Sequence, residues 1–133
     1  MDGKDDFASG AYRILCVDDD LVVLQVRKAL LESQGYVVVV VDCPLKALRQ
    51  DFSVIDLALV DYDMPAMNGR DLLLGMRAHK ATFPIVLLSG QAYSMPIEVR
   101  VLFSACLEKG SPAGEVLTII ERFRSQRHVK DGA

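Results

Sequence analysis

Short apolar segments alternate with amphipathic segments along almost the whole chain. Five of the apolar segments are continuous, a pattern typical of strands buried on both faces of a parallel sheet. These predicted strands are Ile14–Val17, Tyr36–Val41, Leu57–Val60, Pro84–Leu88 and Ala105–Leu107. Between them, helical spacing predicts helices at Leu21–Ser33, Pro44–Gln50, Gly69–His79 and Met95–Phe103, with a last helix after Ser111.

The first and last helices have the clearest apolar faces. In the first helix, Val23, Val26 and Leu30 fall on one side, while Arg27 and Lys28 point elsewhere. In the last helix, Ser111 can act as the cap and Pro112 suits the first turn. The apolar stripe of that helix consists of Val116, Ile119, Ile120 and Phe123.

This alternation of strands and helices predicts an α/β fold, a doubly wound five-stranded parallel sheet with helices on both faces. The predicted domain covers residues 13–127, between a flexible tail at residues 1–12 and a polar tail at residues 128–133. In such folds the ligand site lies outside the carboxyl ends of the strands. The residues that follow each apolar segment are therefore the candidates for function.

Composition and charge exclude several classes of protein. The 133 residues fit one domain, and 51% of them are hydrophobic, which is enough for a buried core. The net charge of −3 is spread over mixed charges, which argues against direct nucleic-acid binding. The sequence has neither an N-terminal apolar signal nor a run long enough to span a membrane, and Cys16, Cys43 and Cys106 are widely spaced. We therefore expect a cytoplasmic protein with reduced thiols and no membrane contact.

Residues suited to phosphate chemistry follow four of the predicted strands. Clustered carboxylates repel one another unless a cation lies among them, and Mg²⁺ prefers oxygen ligands of this kind. A carboxylate can also attack phosphorus to form an aspartyl phosphate, if nearby groups neutralise the phosphoryl oxygens. The candidates are Asp18, Asp19 and Asp20 after the first strand, Asp61 after the third, Ser89 after the fourth and Lys109 after the fifth.

Each candidate alone also has a purely structural interpretation. An aspartate before a helix is usually a cap, and Asp61 could belong to the turn before Pro65. Ser89 could form a turn with Gly90, and Lys109 could be a solvated surface charge. Their joint placement at separate strand ends favours the functional interpretation.

Four segments contain these residues: ILCVDDD, LALVDYDMPAMNG, PIVLLSG and ACLEKG. In this order and at this spacing they resemble the response-regulator receiver family of two-component signalling, from about Arg13 to Arg124. The resemblance is most specific where Asp61 is followed by Met64-Pro65 and Gly69. It implies the flavodoxin-like strand order 2-1-3-4-5 and Mg²⁺ as cofactor.

The resemblance also implies the partners of the domain, its oligomeric state and the extent of its catalytic activity. The phosphoryl donor would be a sensor histidine kinase or a histidine phosphotransfer protein, and an unidentified downstream protein would receive the signal. The domain would be a monomer or a weak homodimer. It would catalyse only its own phosphorylation and slow dephosphorylation.

The resemblance assigns metal-binding roles to four aspartates. Asp19 would ligate Mg²⁺ directly, and Asp18 would act largely through water. Asp61 corresponds to the phosphoacceptor, which also ligates the metal. Asp63 would offer its backbone carbonyl to Mg²⁺.

Two further residues would contact the phosphoryl group, and two positions depart from the family pattern. Ser89 takes the place of the hydroxyl residue that bonds a phosphoryl oxygen, and Lys109 that of the phosphate-pairing lysine. Gly110 follows this lysine where the family usually has a proline in a cis peptide, which leaves the loop geometry open. Cys106 stands at the switch position, usually Tyr or Phe, and is too small to signal by ring rotation. We predict Tyr93 as the substitute, an aromatic side chain that moves as Ser89 shifts.

Three alternatives stay open. A degenerate receiver would act as an unphosphorylated interaction module, which the two departures favour. A phosphohydrolase of the haloacid-dehalogenase type would use Asp61-Tyr62-Asp63, but those enzymes carry the motif near the N-terminus and need a cap domain. A flavin- or nucleotide-binding domain would need a glycine- or hydroxyl-rich loop where this chain has Asp18, Asp19 and Asp20. The sequence also does not separate a stand-alone receiver from part of a larger protein.

Overall fold

The strands of the structure, a computed structural model, form one parallel sheet. The structure describes residues 10–132, except for the side chains of Tyr93 and of residues 128–132. Within this range the strand order is β2-β1-β3-β4-β5, which confirms the predicted α/β class and the order 2-1-3-4-5. The strands are β1 (Arg13–Val17), β2 (Val37–Val41), β3 (Leu57–Asp61), β4 (Ile85–Ser89) and β5 (Ala105–Glu108).

Helices connect the successive strands and cover both faces of the sheet. They are α1 (Leu21–Ser33), α2 (Pro44–Leu48), α3 (Gly69–Ala78), α4 (Ile97–Arg100) and α5 (Ala113–Gly132), with 3-10 turns at Phe52–Val54 and Ala92–Ser94. Among the described helices, none combines the length and the apolar character needed to cross a membrane.

The core lies on both sides of the sheet because alternate strand residues point to opposite faces. On one face, residues of β1, β3 and β4 pack with Leu72, Leu73 and Met76 of α3. On the other face, the intervening strand residues pack with Leu24 and Leu31 of α1 and with Ile120 of α5. Burial on both faces accounts for the continuous apolar segments of the central strands.

The buried face of α1 is not the one predicted. Leu24 and Leu31 are fully buried, whereas Val26 is 66% exposed and Val23 and Leu30 are only partly buried. Apolar residues occur on two sides of this helix, so spacing alone could not select the side that faces the sheet. In the structure Asp20 caps the helix directly after the short connection from β1, and Leu24 and Leu31 face the sheet.

Three boundaries also differ from the prediction. Tyr12, assigned to the flexible tail, is buried and packs edge-on against Tyr36 with ring centroids 6.0 Å apart. The helix predicted at Met95–Phe103 is shortened to α4, which begins after Pro96, a residue that has no N–H and occupies the N-cap, and ends at Arg100. Helix α5 continues to Gly132, so most of the predicted C-terminal tail has a helical backbone.

Candidate functional site

The carboxyl ends of three strands bring aspartates and a lysine together. Asp18 follows β1, Asp61 ends β3 and Lys109 follows β5. Nζ of Lys109 lies 3.1 Å from Oδ2 of Asp18 and 3.2 Å from Oδ2 of Asp61. Asp18, Asp19 and Asp61 each offer an oxygen, and these oxygens lie within 4.8 Å of one another. We call this group of four residues the acidic pocket.

The carboxylates of the acidic pocket differ in their exposure. Asp18 is fully buried and Asp61 is 2% exposed, whereas Asp19 faces solvent. In the described part of the chain, Oδ2 of Asp18 and Oδ2 of Asp61 have no well-aligned hydrogen-bond partner, although the Lys109 ammonium is within ion-pair distance of both. Buried oxygens with unused lone pairs are suited to a further cation.

The three consecutive aspartates have different structural positions. Oδ1 of Asp20 accepts hydrogen bonds from the N–H groups of Val22 and Val23 at 3.0 and 3.3 Å, so the cap interpretation holds for Asp20. The N–H of Asp20 in turn donates to Oδ1 of Asp18 at 2.9 Å. Helix α1 therefore begins at the pocket, and its capping turn holds the Asp18 side chain.

The backbone at Asp61 is held by the first turn of α3. The N–H of Gly69 donates to the carbonyl of Tyr62 at 2.8 Å. A Cβ at position 69 would lie only 2.9 Å from the Asp61 carbonyl oxygen and 3.0 Å from Cα of Tyr62. Glycine thus permits the close approach of α3 to the end of β3.

Ser89 lies at the same edge of the sheet as the acidic pocket, at the end of β4. It is 1% exposed, and its carbonyl accepts from the N–H of Lys109 at 2.9 Å. Its Oγ accepts from the N–H of Gln91 at 3.1 Å, a local turn of the kind considered from the sequence. Asp63 is exposed, two residues beyond the end of β3.

The electrostatics of the acidic pocket follow from burial and proximity. Burial, and then the neighbouring charge of Asp18, raise the pKa of Asp61 despite the opposing contact with Lys109. For Lys109, burial favours the neutral form, but the nearby carboxylates of Asp18 and Asp61 outweigh this effect and raise the pKa. The lysine therefore stays charged between two carboxylates.

The two departures from the family pattern, Gly110 and Cys106, and the proposed substitute Tyr93 lie in β5 and in the loops that follow β4 and β5. All peptide bonds in the described chain are trans, including the one between Lys109 and Gly110. Cys106 is partly buried, its Sγ lies 3.7 Å from the carbonyl oxygen of Arg100, and burial raises its pKa. The backbone of Tyr93 belongs to the turn before α4, but its side chain lies outside the described residues, so its role stays a prediction.

Sequence reasoning missed Arg27, which was expected to point away from the sheet. Its side chain is only 11% exposed, and Nη1 lies 3.8 Å from Oδ2 of Asp18. Arg27 is three residues after Leu24 and four before Leu31, so it shares the buried face of α1. That spacing would have identified it, had the buried face been assigned correctly.

Comparison with known proteins agrees with this fold. The family model of the response regulator receiver domain matches residues 14–120. Sensor protein GacS of Pseudomonas syringae pv. syringae is 36% identical over 109 residues, which are 76% of this chain and 12% of GacS. Two-component response regulator ARR14 of Arabidopsis thaliana is 32% identical over 106 residues, which are 77% of this chain and 28% of ARR14. The chain thus spans only a minor part of these relatives.

A solved structure has the same fold. It is the response regulator TrrA from Thermotoga maritima, determined in complex with Mg²⁺ and BeF. Its TM-score is 0.77 at 24% identity, and the match covers 84% of this chain and 98% of the TrrA chain.

Proposed function

The chain belongs to the response regulator receiver domain family, and from this premise we propose that Asp61 accepts a phosphoryl group in a Mg²⁺-dependent reaction. The donor is the phosphohistidine of a sensor histidine kinase or a histidine phosphotransfer protein, in the cytoplasm. The phosphorylated domain then acts through protein contacts. The observation that carries the proposal is the Lys109 ammonium held 3.1 and 3.2 Å from two buried carboxylates, Asp18 and Asp61.

The donor atoms of the acidic pocket suit Mg²⁺, a hard cation that prefers oxygen and retains several waters. Asp19 and Asp61 would hold it directly, Asp18 largely through water, and Asp63 through its backbone carbonyl. Oδ2 of Asp18 and Oδ2 of Asp61 accept no hydrogen bond from the described residues, which supports this assignment. When bound, the metal supplies positive charge that offsets the charge of the phosphoryl oxygens.

Asp61, Ser89 and Lys109 each have a separate role in the transfer of the phosphoryl group. A carboxylate oxygen of Asp61 attacks phosphorus, the P–N bond of the donor breaks, and the imidazole nitrogen keeps the bonding electron pair. The hydroxyl of Ser89 donates a hydrogen bond to one phosphoryl oxygen. Lys109 pairs with another, since its side chain is 30% exposed and can turn from the carboxylates to the added charge.

Phosphorylation with a small donor tests this function. Acetyl phosphate and Mg²⁺ should add one phosphoryl group to the wild type, detected as a mass increase. Asp61→Asn removes the nucleophile at nearly constant shape, so labelling should vanish, and EDTA should abolish it in the wild type. Asp71→Asn, an equivalent change at an exposed aspartate of α3, should leave labelling unchanged.

Two outcomes would count against the proposal. Equal labelling of Asp61→Asn and the wild type would remove Asp61 as the acceptor. A wild type that takes up no phosphoryl group and no beryllofluoride would favour the alternative, an unphosphorylated interaction module.

A further inference from the structure

A second positively charged side chain, that of Arg27, approaches the acidic pocket from the buried face of α1. Arg27 lies between Leu24 and Leu31 on the buried face of this helix, and its own side chain is 11% exposed. Its Nη1 is 3.8 Å from Oδ2 of Asp18, which is fully buried. Within the described chain, this Nη1 has no hydrogen-bond partner. A buried guanidinium is unfavourable unless an opposite charge offsets it, and Asp18 is the carboxylate with which Arg27 is paired.

The two cations of the site therefore share one carboxylate oxygen. Oδ2 of Asp18 lies 3.1 Å from Nζ of Lys109 and 3.8 Å from Nη1 of Arg27. The cations differ in freedom, because the Lys109 side chain is 30% exposed and that of Arg27 only 11%. Lys109 can turn toward a newly added anion. The Arg27 side chain lies on the buried face of α1, so it has less freedom than Lys109 to move away from Asp18.

We propose that Arg27 is a positioning residue whose fixed charge holds Asp18 in place and weakens the binding of Mg²⁺ to the acidic pocket. The inference rests on the proposed function, in which Asp18 belongs to the metal site. A divalent ion entering the pocket meets this positive charge and competes with it for Asp18. In consequence, the metal-free state, with Lys109 between Asp18 and Asp61, persists to higher Mg²⁺ concentration than it would with an apolar residue at position 27.

The pairing itself is tested without metal. Arg27→Met keeps a long apolar side chain but removes the charge, so it should lower the thermal unfolding midpoint of the otherwise wild-type protein by leaving Asp18 short of a counter-charge. In an Asp18→Asn background, Arg27 has lost this partner, and the same substitution should no longer lower the midpoint. An equal decrease in both backgrounds would overturn the pairing and reduce Arg27 to a packing residue.

The effect on the metal is tested by Mg²⁺ titration, followed by the backbone amide shifts of residues near Asp61. Arg27→Met and Arg27→Gln should bind Mg²⁺ about tenfold more tightly than the wild type, a change of about 1.4 kcal/mol. Arg27→Lys keeps the charge and should restore affinity toward the wild-type value. Lys28→Met is the matched control, because it removes the same charge from the same helix at a surface pair with Glu32. Its Mg²⁺ affinity should stay at the wild-type value.

The outcomes separate this inference from the proposed function. If the wild type binds Mg²⁺ but Arg27→Met and Arg27→Gln bind it equally or more weakly, the inference alone fails. It also fails if Arg27→Lys behaves like Arg27→Met, or if Lys28→Met gives as large a gain. A wild type that binds no Mg²⁺ would contradict the proposed metal site, and with it the claimed effect of Arg27.

Discussion

Among single residues, Lys109 makes the most consequential contacts in the acidic pocket. Its ammonium lies between the two buried carboxylates, Asp18 and Asp61, and offsets their mutual repulsion in the metal-free protein. The raised pKa of Lys109 means that this charge persists throughout the neutral range. The same charge is available to an added phosphoryl group.

Replacing Lys109 should separate metal binding from the response to phosphorylation. Lys109→Ala should still bind Mg²⁺, because an ammonium group is not a metal ligand. It should lose most of the structural response to beryllofluoride, since the positive side chain that pairs with the added charge is gone. Amide chemical shifts around β5 measure this response. Lys46→Ala, which removes a lysine paired with Asp42 at the surface, should respond as the wild type does. An undiminished shift pattern in Lys109→Ala would contradict the assigned role.

The raised pKa of Asp61 predicts how metal-free stability depends on pH. Burial and Asp18 raise this pKa, so the folded protein binds the proton of Asp61 more tightly than the unfolded chain does. Ionised Asp61 therefore lowers stability above the folded-state pKa, and this loss disappears below the unfolded-state pKa of about 4. Metal-free Asp61→Asn should unfold at a higher temperature than the wild type at pH 7. The difference should shrink on acidification, and a difference that stays constant or widens would refute this account.

At the scale of elements, the junction of β3 and α3 positions the acceptor aspartate. Asn68 caps α3 by accepting a hydrogen bond from the N–H of Asp71 at 2.9 Å. The next residue, Gly69, lets the helix approach the backbone of Asp61 and Tyr62. Because the crowded atoms belong to the backbone, a larger residue at position 69 cannot be accommodated by rotation of a neighbouring side chain.

Gly69→Ala should destabilise the domain and disturb the site. The added methyl group would meet the Asp61 carbonyl oxygen at 2.9 Å, so β3 or α3 must shift, at a cost of about 1–3 kcal/mol in the free energy of unfolding. Chemical denaturation measures the loss, and the rate of labelling by acetyl phosphate should fall with it. Gly114→Ala is the matched control, because a Cβ at this exposed position in α5 has no neighbour within 4 Å. There the higher helix propensity of alanine should leave stability unchanged or raise it. Equal effects of the two substitutions would argue against crowding at position 69.

Across the whole molecule, the proposed function requires a change at the acidic pocket to reach the surface formed by α4, β5 and α5. Cys106 of β5 lies next to α4, with Sγ 3.7 Å from the carbonyl oxygen of Arg100. A thiol is small and a weak hydrogen-bond partner, so it cannot transmit a displacement as a rotating aromatic ring would. The loop that joins Ser89 to α4 contains Tyr93, an aromatic residue four positions beyond the hydroxyl.

We expect Tyr93, in place of Cys106, to transmit the change from the acidic pocket to α4 and β5. With Mg²⁺ and beryllofluoride added, tyrosine NMR signals of Tyr93 should shift, and Tyr93→Ala should lose most of the chemical-shift response of α4 and β5. Tyr36 provides an internal reference, because it precedes β2 at the opposite end of the sheet from the acidic pocket and bonds Glu121 of α5. If the Tyr93 signals stay fixed and the variant responds as the wild type does, another element must carry the signal.

The fold class and the candidate residues could be predicted from the sequence because both depend on local pattern. Strands buried on two faces must be continuously apolar, and their carboxyl ends must share one edge of a parallel sheet. The approach of Asp18 and Asp61 follows from that rule and from the order of the strands, which makes β1 and β3 neighbours. Lys109 follows β5, two strands away from β3, and reaches both aspartates through its long side chain.

Other features depended on packing between elements, which no local pattern contains. Helix α1 has apolar residues on two sides, and only its rotation against the sheet buries Leu24, Arg27 and Leu31 together. The need for glycine at position 69 arises from the approach of α3 to β3, and the burial of Tyr12 arises from its contact with Tyr36. Such contacts join residues distant in sequence, so the tertiary structure alone decided that a buried arginine stands behind the acidic pocket.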